Sequence, residues 1–150
     1  MRRIIELPIH LVEIEDGGYH LFVEALVNAK PVFLLVDTGA SKTVFDAVKV
    51  KKLLDIDSEE FQFELSPHKS TGLGTNDMES HLVVFETFAL GDICLTDFQS
   101  VVLPMEHVNI AYSMLNHREI DGVLGSDILA KFKAVIYYGS RKLKLYQTIR

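Results

Sequence analysis

Scarcity narrows this chain of 150 residues before any motif is read. Cys94 is its single cysteine, so no disulfide can form within the chain and a reducing compartment is tolerated. Cys94 lies in an apolar, strand-like stretch and reads as an inert buried thiol. No apolar run approaches the ~20 residues that span a bilayer, so no membrane partner is expected. Arg2-Arg3 has the look of a secretion signal, but Glu6, Pro8 and His10 break the apolar stretch that should follow, and the expected location is cytoplasmic. Positive charge is in deficit: 15 Lys and Arg against 21 Asp and Glu leave a net charge of −6, which argues against a nucleic-acid partner. Metal chemistry finds no ligand set either. His10, His20, His68, His81, His107 and His117 include no pair at the spacing of a zinc helix and have no cysteine near them, so all six read as surface or core histidines. No Pro-, Ser- or charge-rich linker divides the chain, which is expected to form one domain over residues 1–150.

What is present is mostly strand. Partial alternation over 11–15 runs into Asp16-Gly17-Gly18, a hairpin turn, and 19–27 returns. Asn28-Ala29-Lys30-Pro31 turns again before 32–36. Residues 43–45 form a short strand, and Asp46 caps a helical stretch through Leu54. Residues 61–65 alternate cleanly and read as a half-buried strand. A long hairpin follows over 81–90 and 93–103, turning at Gly91-Asp92 and stopped by Pro104. Residues 105–117 are open between loop and helix, and strands at 134–138 and 142–146 close the chain around Gly139-Ser140. Strand, glycine corner and helix occur at 32–54 and again at 121–132, an echo that suits a closed barrel of two similar halves.

The most informative stretch is Phe33-Leu34-Leu35-Val36-Asp37-Thr38-Gly39-Ala40-Ser41. An apolar strand ends in an acid, a hydroxyl, a glycine and two small residues. An aspartate at the end of a buried strand is costly to desolvate, so a use is expected for it. Gly39 frees the backbone for a sharp corner, and Thr38 and Ser41 bring hydroxyls that can bond a carboxylate. Taken alone, Asp-Thr-Gly is also an ordinary turn exit. A second segment, Ile120-Asp121-Gly122-Val123-Leu124-Gly125-Ser126-Asp127-Ile128-Leu129, carries two apolar residues and a glycine into a short helix over 127–132, for which Ser126 or Asp127 offers an N-cap.

Together these segments resemble the retropepsin-like aspartic peptidases. The resemblance covers the chain from its first hairpin to its last, with Asp37-Thr38-Gly39-Ala40-Ser41 and Val123-Leu124-Gly125 as its strongest motifs. One departure is Tyr137 after Val135-Ile136, where the family often has Asp or Asn. The resemblance implies a mainly β fold, a closed acid-protease barrel with one or two short helices, and peptide-bond hydrolysis with Asp37 as the catalytic acid. It also implies that Val123, Leu124 and Gly125 pack behind the catalytic loop, with the glycine allowing close approach. Gly72-Leu73-Gly74-Thr75 resembles the family's flap by position and composition; the bland alternative is a surface hairpin.

Carboxylate-driven hydrolysis needs two acids sharing one proton, one acting as base toward water and the other as acid toward the amide. This chain has one Asp-Thr-Gly, and its rivals stand in the wrong context: Asp121 lacks the Thr-Gly and Asp127 looks like a helix-start residue. The expected assembly is therefore a homodimer with Asp37 and Asp37′ facing across a two-fold axis. The resemblance further implies that Thr38 bonds across that axis, that the substrate is a peptide or protein, and that no cofactor is used. The rival expectation is a catalytically silent dimeric peptide-binding or scaffold domain of the same fold.

Overall fold

The computed structural model describes residues 1–54, 64–65 and 80–149. The sequence-predicted flap, Gly72 to Thr75, and most of the strand expected at 61–65 lie outside the described residues. The strands are β1 (Arg2–Pro8), β2 (His10–Glu15), β3 (Gly18–Val27), β4 (Lys30–Val36), β5 (Val44–Asp46), β6 (Glu64–Leu65), β7 (His81–Leu90), β8 (Ile93–Leu103), β9 (Gly122–Leu124), β10 (Val135–Tyr137) and β11 (Lys142–Thr148). Among the described residues three short helices are set between them: α1 (Ala47–Leu53), α2 (Glu106–Met114) and α3 (Ser126–Lys131).

Six strands close on themselves. The order β3-β4-β9-β5-β8-β7 returns to β3 through Leu26 against Ala89 and Val27 against Phe88, which makes a barrel with no open edge along that ring. Its pairings are mixed: β4–β9 and β5–β8 run parallel, the others antiparallel. Successive residues of a strand point to opposite faces, and here both faces are covered. Val23 on β3, Leu34 on β4 and Leu124 on β9 enter a large cluster with Phe45, Phe85 and Phe88. Their sequence neighbours Phe22, Phe33 and Val123 enter a second cluster with Met105, Tyr112 and Ile120 on the side where α2 packs.

A separate three-stranded sheet, β1-β11-β10, joins the two ends of the chain. Arg2 pairs with Thr148 and Pro8 with Lys142, and Ile5, Leu7, Leu143 and Leu145 from this sheet are buried in the large cluster. No strand is anticipated before residue 10, because the charges at Arg2, Arg3 and Glu6 mask the alternation of Ile5, Leu7 and Ile9, and the partner strand lies at the far end of the chain.

Elsewhere expectation and structure differ in smaller ways. The turn after β3 needs only Asn28 and Ala29, both at positive φ (49° and 65°), as in two-residue hairpins whose twist matches the strands. Residues 105–117 resolve into α2, held by Asn109, whose side chain donates to the Ile120 carbonyl (3.0 Å) and accepts from the Ile120 N–H (2.7 Å). Cys94 is exposed rather than buried: Ile93 takes the inward face of β8, and alternation turns its neighbour outward.

Candidate functional site

The Asp-Thr-Gly corner sits where β4 leaves the barrel. Leu34, Leu35 and Val36 pair in parallel with Gly122, Val123 and Leu124, and the Asp37 N–H extends that ladder by donating to the Leu124 carbonyl at 3.0 Å. The chain then turns: the Ala40 N–H donates to the Asp37 carbonyl (3.2 Å) and the Gly39 N–H to the Asp37 carboxylate (2.9 Å). Asp37 is half-buried, while Thr38, Gly39 and Ser41 are exposed and Ala40 packs partly against the second cluster. The acid therefore has a fixed root, a backbone donor and an open side.

The other wall of the corner is the segment 122–127. Ser126 N–H donates to the Ala40 carbonyl at 2.7 Å, and Gly125 N–H donates to the Thr43 hydroxyl at 3.0 Å. That hydroxyl in turn donates to Asp127 Oδ1 at 2.8 Å. The approach leaves no room for a side chain: a Cβ on Gly125 would lie 2.6 Å from the Lys42 backbone, and one on Gly122 would collide with the Val44 carbonyl. Val123 and Leu124 are both buried and face opposite clusters, so the apolar pair closes the core on each side of the strand that braces Asp37.

The two rival acids are committed elsewhere. Asp121 accepts from the Phe33 N–H through its carboxylate (2.7 Å), donates its own N–H to the Phe33 carbonyl (2.8 Å) and accepts the Asp46 N–H (2.9 Å), pinning β4 to β5. Asp127 accepts from Thr43 and from the Ile128 N–H. Neither Ser126 nor Asp127 is the N-cap of α3. Gly125 holds that position, where the Lys42 backbone leaves no room for a capping side chain, and the Asp127 carboxylate accepts from the Thr43 hydroxyl and the Ile128 N–H.

Sequence reasoning passed over three side chains around the corner. Thr43 is 1% exposed and links β5 to the 125–127 segment. Tyr112, buried on α2, shares a 2.9 Å hydrogen bond with His20 Nδ1, and its ring lies edge-on to Phe22. Burial pushes the Tyr112 phenol up to about 12, and the negative charge of Asp37 adds to that rise. A hydroxyl two residues past Ser41 is a faint signal for Thr43; for His20 and Tyr112 no local pattern exists, since the fold alone joins β3 to α2. A groove of about 540 Å³ lies between α1 and α2, lined in part by Val48, Ile110 and Met114, and none of the motif residues lines it.

A sequence model described as aspartyl protease matches residues 23–128, which contain Asp37 and the 122–127 wall. No curated protein gives a significant sequence match. A retropepsin-like aspartic protease from Rickettsia conorii superposes with a TM-score of 0.61 at 18% identity, over 97% of this chain and 92% of that one. The retroviral protease-like domain of Ddi1 from Leishmania major superposes with a TM-score of 0.52 at 15% identity, over 84% of this chain and 87% of that domain. At these identities the likeness is one of fold, the closed barrel with its short helices.

Proposed function

Because this chain belongs to the aspartyl protease family and folds as a retropepsin-like barrel, we propose that it is an endopeptidase whose active site forms when two copies bring Asp37 and Asp37′ together. One observation carries the reading: Asp37 is half-buried on a braced loop beside the exposed Thr38 and Gly39, with, among the described residues, only the Gly39 N–H on its carboxylate, while Asp121 and Asp127 are consumed by backbone and hydroxyl partners. A second carboxylate must then come from a second molecule, and the exposed Thr38-Gly39 corner is the surface through which it would arrive.

Two carboxylates at close range cannot both ionise, so the pair keeps one proton. The ionised member takes a proton from a water as that water attacks the peptide carbonyl, and the protonated member supplies a proton toward the departing amide. The Gly39 N–H holds one Asp37 oxygen, which fixes the orientation of the carboxylate through the exchange.

The test is turnover of a mixed peptide library by wild type and Asp37→Asn, with circular dichroism as the control for folding. Loss of at least ~10³-fold in rate with the fold intact is expected, since an amide keeps the shape but cannot trade protons. Equal turnover by both proteins removes Asp37 from the mechanism. Absence of turnover in both, with peptide still bound, supports the silent binding domain.

A further inference from the structure

We propose that Tyr112 and His20 are positioning residues for Asp37, a two-member hydrogen-bond relay in which protonation of His20 turns the Tyr112 hydroxyl from His20 toward the Asp37 carboxylate. Three observations place the relay. The β3–β4 register ends at Phe22 against Leu35; His20 and Asp37 each stand two residues beyond that pair, on the face that strand alternation gives to Phe22 and Leu35. The face agrees with the packing, because Phe22, Phe33 and Leu35 all join the second cluster, to which Tyr112 also belongs. The Tyr112 hydroxyl is bound to His20 Nδ1 at 2.9 Å, and Asp37 is the charged group that bears on its proton.

The chemistry follows from counting protons. A neutral His20 with a bare Nδ1 accepts the single Tyr112 proton, so the phenol offers Asp37 only lone pairs. A His20 protonated at Nδ1 must instead donate to the phenol oxygen, and the Tyr112 proton is released to point at a negative neighbour, directly or through one water. Histidine makes that change within the range of about pH 5 to 8. The donated bond and the imidazolium charge both favour the ionised carboxylate and lower Asp37's affinity for its proton.

Among the described residues, the groups facing the pair are few. β2 offers Val12 opposite His20, with Glu13 against Tyr19 one step along. At the far end of the cluster, His10 lies 5.9 Å from the Phe33 ring centroid, and Arg118 covers that ring at 4.2 Å while pairing with Glu24 at 3.4 Å. Asp37 is the group at the near end.

The effect on turnover rests on the peptidase reading; the effect on Asp37's own proton does not, and the experiment separates them. The Asp37 carboxyl is titrated by carbon-13 NMR in wild type, Tyr112→Phe and His20→Gln, and His20 is titrated in wild type and Asp37→Asn. Expected is a rise of about half a pH unit or more in the Asp37 midpoint in both relay variants. By reciprocity, His20 should lose its proton at lower pH in Asp37→Asn. In turnover, the upper limb of kcat/KM against pH should move upward in Tyr112→Phe, whereas a merely structural role would lower the whole profile without moving it. An Asp37 midpoint that stays or falls in both relay variants, or a His20 midpoint unchanged in Asp37→Asn, overturns the relay. Should Tyr112→Phe not fold, His20→Gln and Asp37→Asn decide alone. Shifted midpoints without turnover in any protein keep the relay and remove the peptidase.

Discussion

Thr43 reaches further than any other small side chain near the corner. Its hydroxyl takes the Gly125 N–H and gives to Asp127, and its carbonyl accepts the Ser100 hydroxyl at 3.0 Å, so three segments meet on one buried residue. Thr43→Val keeps the shape and strands a buried N–H, for a cost of about 1–3 kcal/mol. Thermal unfolding should show a fall of several degrees, most of it recovered in Thr43→Ser, and turnover should fall with it as the brace on the Asp37 loop slackens. Tyr112 sets a stability limit at the alkaline end. Its phenol titrates near 10 in the unfolded chain and near 12 in the folded one. Between those values the unfolded state has released a proton the folded state still holds, so stability that is complete below pH 10 is lost as pH rises toward 12. Urea unfolding at stepped alkaline pH should show a steeper loss of stability between pH 10 and 12 in wild type than in Tyr112→Phe.

At the scale of elements, Asp46 ties two of them. It is 3% exposed, caps α1 by accepting the Lys49 N–H at 3.2 Å, and accepts the Met105 N–H at 2.8 Å where β8 hands over to α2. Asp46→Ala removes a cap and orphans a buried donor, and chemical denaturation should register a loss of about 2–3 kcal/mol, smaller for Asp46→Asn. That cap was legible in the sequence, as was the β7–β8 hairpin to its end residues, because a cap and a hairpin are written in neighbouring residues. The corner at Asp37 and the apolar pair Val123-Leu124 were legible for the same reason. What escaped is what depends on distant partners. β1 is a strand because β11 lies beside it. α2 is fixed by Asn109 reaching Ile120. Gly125 stands at the head of α3 because the Lys42 backbone, from another part of the chain, leaves no room there for a side chain. His20 and Tyr112 belong to elements far apart in sequence, and no pattern along the chain links them.

At the scale of the molecule, the sequence carries one Asp-Thr-Gly, and none of the motif residues lines the α1–α2 groove. On the proposed reading the substrate cleft is made between copies, so activity is a property of the pair. Specific activity should fall faster than linearly on dilution below the dimer dissociation constant, tracked alongside sedimentation. A fully active monomer would return the search for a second acid to Asp121 and Asp127. The sheet that joins β1 to β11 has a consequence of another kind. Met1 and Ile149 are hydrogen-bonded neighbours, so in space the polypeptide is almost a loop, opened at one point along a ladder of seven paired steps. Closing a ladder between residues so far apart in sequence carries a large entropic cost, so it is expected to form late in folding. Contacts formed after the folding barrier govern how fast a protein comes apart. Peptides that hold or loosen those two strands would therefore change the lifetime of the folded chain more than the speed with which it is made.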